Sequence, residues 1–186
     1  MPDQISAVPP PPPVRLRDVA VGDAAALARI LIAATDSAFR GLVPPQCLAF
    51  TEAESAANWR RTLTAGLPPG DFMLVAESPL GVPVAYAWGG PCADDPAYDG
   101  ELRQLNVWPA TQRRGTGRLL VGRVASRLAA QGIAGMCVDV LRINPNRAFY
   151  ERLGARYVSE RAYDWDGVVL AMCRYGWTDL APLLGA

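Results

Sequence analysis

Apolar and polar residues change rhythm several times along the chain, and each change marks an element. Residues 14–19, "VRLRDV", alternate in the period-two manner of a strand. In "GDAAALARILIAATDSAFRG" the apolar residues recur at helical spacing, with Asp23 placed to cap the start and Gly41 to stop the end. A second helical stretch runs from about Thr51 to Ala65, and its Thr/Glu opening resembles a capping arrangement. Three apolar runs follow: "FMLVAES" (72–78), "VPVAYAWG" (82–89) and "GELRQLNVW" (100–108). Their links carry Pro, Gly and Asp, which predicts an antiparallel meander. Between Thr116 and Gln131 the period returns to that of a helix, with Leu120, Val124 and Leu128 on one face and Gly132 at the end. "MCVDVLRI" (136–143) predicts a strand and "NRAFYERLG" (146–154) a short helix. "ARYVSERAYDW" and "VVLAMCRYGW" predict a closing hairpin turned at "DWDG".

The result is one α+β domain over residues 14–186, with no internal repeat and no second domain. Residues 1–13 end in a proline run that favours polyproline II, and are read as a disordered leader. A chain of 186 residues can bury roughly 70% of its unfolded surface without staples. The formal net charge is zero and half the residues are apolar, which argues against disorder and against bulk nucleic-acid binding. No signal peptide and no apolar run of membrane-spanning length stands out, so a soluble cytoplasmic protein without a membrane partner is expected.

Candidate chemistry is narrowed by what is missing. There is no histidine, which removes a Ser-His-Asp triad, a Cys-His pair, a His-ligated metal and a histidine base. Cys47, Cys92, Cys137 and Cys173 are far apart with no CxxC, so no metal site is expected, and Cys137 and Cys173 read as core residues. All 18 basic residues are arginine, which removes a Schiff-base lysine. Acid–base work falls to Asp, Glu, Tyr, Cys or ordered water.

One segment looks built for an anion. "QRRGTGR" (Gln112, Arg113, Arg114, Gly115, Thr116, Gly117, Arg118) joins a strand to a helix start, where unpartnered amides and the helix dipole favour negative charge. It lacks the lysine and spacing of a Walker loop, and Leu120 stands at the third glycine of a dinucleotide fingerprint. It does satisfy the pattern Q/R-x-x-G-x-G/A through Gln112, Gly115 and Gly117.

That pattern resembles the pyrophosphate loop of the GNAT superfamily of N-acetyltransferases. "ELRQLNVWP" before it is similar to that family's central strand, and "NPNRAFYERLGARYV" to its later signature, with a short Asn-to-Phe spacing and Ala155 in place of the usual Phe. The element order agrees over nearly the whole chain. The resemblance implies a splayed, largely antiparallel seven-stranded sheet with about four helices, and acetyl-CoA in a V-shaped gap between the fourth and fifth strands. It implies that Leu105, Asn106 and Val107 meet the pantetheine, that residues 112–118 hold the pyrophosphate, and that Asn144 and Arg147 contribute from the far side. Glu101, eleven residues before Gln112, would be a general base, and Tyr150 would be both a cofactor contact and the acid beside the sulfur.

The implied activity is acetyl transfer to a primary amine of a small molecule or protein; the alternative is a catalytically silent acyl-CoA-binding module. The acceptor side would involve "DSAFRGLVPPQCL", "NWRRTL" and "YDWDG". Asp94, Asp95, Asp99 and Glu101 either attract a cationic amine or form a solvated loop. Trp59, Trp88, Phe39 and Trp165 either line a pocket or fill the core. A homodimer, with the apolar "WTDLAPLLGA" contributing, is a further expectation.

Overall fold

The computed structural model describes residues 14–184, so the proline-rich leader lies outside the described residues. Seven strands form one sheet: β1 (Arg15–Asp18), β2 (Phe72–Glu77), β3 (Pro83–Pro91), β4 (Gly100–Val107), β5 (Met136–Leu141), β6 (Arg156–Trp165) and β7 (Val168–Trp177). Their spatial order is β1-β2-β3-β4-β5-β7-β6. Only the β4–β5 pair is parallel. The helices are α1 (Ala24–Phe39), α2 (Glu52–Ala65), α3 (Thr116–Ala130) and the single-turn α4 (Arg147–Arg152). None of the described helices is long and apolar enough to cross a membrane.

Both faces of the sheet are covered, which is why β2 reads as an unbroken apolar run rather than an alternating one. Phe72, Leu74 and Ala76 point toward α3 and pack with Leu120, Val124 and Leu128. Met73 and Val75 point the other way, onto Leu27 and Ile30 of α1 and Trp59 of α2. The predicted face of α3 is thus the buried one. The edge strand β6 is exposed along most of its length and carries Arg156, Glu160 and Arg161, charges that oppose edge-to-edge association. Leu180 and Leu183 of the C-terminal apolar segment are buried in this chain's own core, so those side chains are already spent.

The caps show which local signals survive tertiary packing. Thr51 and Glu54 form a complete capping box at α2: Glu54 N–H donates to Thr51 Oγ1 at 3.2 Å, and Thr51 N–H donates to Glu54 Oε2 at 3.0 Å. Asp23 occupies the N-cap position of α1 but makes no side-chain cap bond. Its carboxylate folds back to accept two bonds from Arg17 at 2.7 Å and one from Ala20 N–H at 2.8 Å. A guanidinium within reach outbids a single amide because both partners are charged. In the closing hairpin, Asp166 and Gly167 take φ of 51° and 80°, the two-residue turn that suits right-twisted strands.

One feature of β4 has no local signal. The β3–β4 register jumps from Trp88↔Gln104 to Gly89↔Leu102, leaving Arg103 as an extra residue. This bulge resets the alternation. Leu102 and Leu105 both face α3, whereas Gln104 and Asn106 face Tyr86 on the α1/α2 side.

Candidate active site

Parallel strands β4 and β5 pair only at Gly100↔Met136 and Glu101↔Cys137. Beyond that point they separate. On the other side of β4, Trp108 N–H donates to Val84 O at 2.8 Å. Alternation therefore turns the backbone groups of Leu105 and Val107 into the gap. A cavity of about 690 Å³ fills it, running from the loop before α3, past Leu105–Val107 and α4, to Thr35 and Phe39 of α1.

The loop is braced against the strand that precedes it. Gln112 Nε2 donates to Val107 O at 3.1 Å, and Thr111 Oγ1 donates to Trp108 O at 2.9 Å. Arg113 and Gly115 adopt φ of 58° and 84°, which turns the chain sharply into the helix. The first helical bond runs from Leu119 N–H to Gly115 O at 2.9 Å, so the amides from Gly115 to Arg118 precede the ladder and sit at the positive end of the dipole. A Cβ built at Gly115 meets no atom within 4 Å, so that side of the backbone is open. A Cβ at Gly117 lies 3.3 Å from the Phe149 ring, so this glycine lets the start of α3 approach α4. Arg113, Thr116 and Arg118 line the cavity with the glycines; Arg114 does not. Open backbone, amides without helical acceptors and two arginines at the lip fit a pyrophosphate-bearing ligand.

The far wall comes from α4 and the turn before it. Asn144 lines the cavity, but its Oδ1 already accepts from Asn146 N–H at 2.8 Å, leaving Nδ2 as its donor. Arg147 is not brought to the cavity wall. Its guanidinium donates to Tyr175 Oη at 3.3 Å, and that hydroxyl donates to Glu151 one turn further on. The expectation of a ligand contact at Arg147 is replaced by a strut between α4 and β7. Arg152, Ala148 and Phe149 line the wall instead, without a sequence signal that singled them out.

Tyr150 faces the cavity and is 9% exposed. Burial alone pushes its phenol up to about 12, with no hydrogen bond contributing. Asn106 also lines the cavity, and its Nδ2 donates to the fully buried Tyr86 hydroxyl at 3.0 Å, which in turn donates to Gln104 Oε1. That chain fixes the Asn106 carboxamide with its oxygen free.

Glu101 stands apart from Tyr150. It lies where β4 and β5 are still paired, four residues from Leu105, which is roughly 13 Å of strand. It does not line the cavity. Its carboxylate is ion-paired with Arg103, which is also held by Asp71 and the Pro91 carbonyl. Burial pushes the Glu101 pKa upward; Asp139 and Asp94 push the same way, and Arg103 and Arg174 oppose them. Cys92 and Cys137, both free thiols, approach within 3.8 Å beside it.

The acidic group around Glu101 is committed to structure. Arg174 binds Asp139 at 2.8 Å, Asp95 at 3.0 Å and Asp94 at 3.6 Å. Asp99 accepts from Ala134 and Gly135 amides. These carboxylates have their partners within the chain, so they do not form a free field for an amine.

A second cavity, about 380 Å³, meets the first at Thr35 and Phe39. It lies between α1, α2 and the β6–β7 hairpin, with Phe50, Tyr163 and Trp165 among its walls. Of the four aromatics weighed for this role, Phe39 and Trp165 line it, edge to face at 5.4 Å. Trp59 and Trp88 are instead packed in the cluster under α1 and α2.

A model of the FR47-like protein family matches residues 92–165, from the β3–β4 connection through β6. The curated relative YuaI of Bacillus subtilis, an uncharacterized N-acetyltransferase, is 27% identical over 172 residues, covering 91% of this chain and 96% of its own. Among solved structures, the PaiA N-acetyltransferase of Thermoplasma acidophilum in complex with coenzyme A superposes with a TM-score of 0.63 at 14% identity, covering 89% of this chain and 99% of that one. A phosphinothricin acetyltransferase of Sinorhizobium meliloti in complex with acetyl-CoA superposes with a TM-score of 0.64 at 20% identity, covering 88% and 87%. At these identities the structural matches speak for the fold.

Proposed function

We propose that the chain is an N-acetyltransferase of the GNAT type, as the FR47-like match and the relative YuaI support, and that it transfers the acetyl group of acetyl-CoA directly to a primary amine held in the second cavity. The observation that carries this reading is the splay of β4 from β5. It creates a cavity with an anion-binding loop at one end and an amine-sized chamber at the other. Acetyl-CoA supplies the thioester carbonyl and the thiolate leaving group.

The residues divide the work by position. Amides from Gly115 to Arg118, with Arg113 and Arg118, hold the pyrophosphate. The gap-side backbone of Leu105 and Val107 pairs with the pantetheine amides as an added strand would, and Asn144 Nδ2 donates from the opposite wall. Val107 N–H, a strand-end amide, is assigned to polarise the thioester oxygen. The free Asn106 oxygen accepts from the incoming amine. The N–C bond forms as the C–S bond breaks, and the amine gives up one proton to water. Glu101 drains that proton through water on the α1/α2 face.

Tyr150 acts at the sulfur. An ordinary thiol has a pKa of about 8.5, well below the phenol's value of about 12. Full transfer from Tyr150 to the departing thiolate is therefore uphill. The hydroxyl serves best as a hydrogen-bond donor to the sulfur as charge develops, and water completes the thiol.

Free-thiol release with acetyl-CoA over a panel of primary amines tests the reading. Amine-dependent release with a stoichiometric acetamide product supports it. Tight coenzyme A binding with no turnover on any amine supports the alternative, a silent acyl-CoA-binding module.

A further inference from the structure

The charge pattern around the second cavity points to the class of amine it accepts. We infer that the acceptor is a small primary amine on an uncharged aromatic or bulky apolar body, without a carboxylate; this rests on the acetyltransferase reading above. Phe39, Phe50, Tyr163 and Trp165 supply rings on several sides, and Leu141 and Met172 close the sheet side. The volume, about 380 Å³, lies at the small end of the range for ligand sites, about 300–1,000 Å³.

No cationic residue among those described lines these walls. The polar lining is Thr35, Ser55, Asn58 and Glu54, with no arginine among the described lining residues. The arginines nearest to it have partners: Arg61 donates to Oδ1 of the lining Asn58 at 3.0 Å, Arg40 pairs with Asp36 at 2.6 Å and Arg142 with Glu160 at 3.3 Å. An amino-acid acceptor would have to desolvate its carboxylate beside Glu54 with no counter-charge, which is costly. An amine attached to a ring faces the opposite situation. Aromatic faces attract its ammonium form on entry, and the apolar walls favour the neutral form that attacks.

Matched pairs that differ only in the carboxylate test this: 2-phenylethylamine against phenylalanine, and tyramine against tyrosine, each read as kcat/KM for thiol release. The amine of each pair should exceed the amino acid by about 100-fold or more. Phe50→Ala should raise KM for 2-phenylethylamine severalfold and leave coenzyme A binding unchanged by calorimetry. Asn58→Arg, at an exposed helix position, should narrow the preference at least tenfold by supplying the missing cation. Amino acids equal to or better than their amines overturn the assigned class while leaving acetyl transfer intact. Short peptides outperforming both also overturn it. Binding of acetyl-CoA with no turnover on any amine overturns the underlying acetyltransferase reading, and this assignment with it.

Discussion

Tyr150→Phe separates chemistry from binding because it deletes one atom from the cavity wall. The phenol makes no hydrogen bond within the described residues, and its shift comes from burial alone. Its loss therefore orphans no partner, and the ring's edge contacts with Phe149 and Trp177 remain. Stability should change by less than about 0.5 kcal/mol. The rate should change more. A hydrogen bond to a charged group is worth about 1.5–3 kcal/mol, which at 1.36 kcal/mol per tenfold is a drop in kcat of about 10- to 150-fold. The assay is initial-rate thiol release at saturating acetyl-CoA, with coenzyme A affinity by calorimetry and the melting temperature as controls. Tyr150 keeps its proton until the pH approaches its raised pKa of about 12, so it should impose no fall in rate below about pH 11. The rate should rise with pH as Glu101 and then the amine lose their protons. A wild-type kcat in the variant, or a loss expressed wholly in coenzyme A affinity, would refute the assigned role.

Other substitutions probe the remaining parts. Gly115→Val should cost about 1–2 kcal/mol in folding, since a left-handed φ of 84° suits glycine, and should weaken coenzyme A more than tenfold, because its side chain enters the open space before the loop. Normal coenzyme A affinity would end the anion-loop assignment; Arg114→Ala, off the cavity wall, should weaken binding only severalfold. Glu101→Gln should lower kcat by about 10²-fold, the low end for a general base, and a pH–rate profile superimposable on wild type would take Glu101 out of the mechanism. Arg174→Ala removes the ion-pair partner of Asp95 and one of the two partners of Asp139, which keeps Arg161, and should cost about 3 kcal/mol in a denaturant melt. Burial pushes the Asp139 pKa up, but hydrogen bonds from Arg174 and Arg161 outweigh it and hold it below the usual carboxylate range. The stability it contributes is present above the unfolded pKa of about 4 and is lost as pH falls through the folded value. In the Arg174 variant this acid-side loss should shrink, and an unchanged acid melt would count against the pairing.

Elements with strong periodicity and glycine or proline borders were legible from the chain alone. β2 to β4, α3 and the closing hairpin fall where the pattern puts them, and Thr51 caps α2 as its neighbour Glu54 suggested. The place of the glycine loop between β4 and α3 was legible for the same reason, since its turn is set by the backbone at Gly115. Side-chain assignments that depend on distant partners were not. Asp23 has a good capping sequence but answers to Arg17, a residue of the preceding strand. Arg147 sits in a one-turn helix, where sequence does not specify whether a long side chain turns to the cavity or to Tyr175. The bulge at Arg103 depends on the register with β3, and the Arg174 hub joins residues up to 80 positions apart; neither leaves a local trace.

The narrow seam between β4 and β5 has a consequence for cooperativity. Through the middle of the sheet, the strands before the gap and those after it share just two paired positions, reinforced by Arg174 and its aspartates. A second bridge lies at the other end, where Phe39 at the end of α1 packs on Leu141 and Trp165. In the proposed complex a ligand lying between these bridges would complete the backbone pairing that the chain leaves undone. It would act as a splint between two half-molecules, and a rise in amide protection at Leu105 and Val107 on adding coenzyme A would report that splinting.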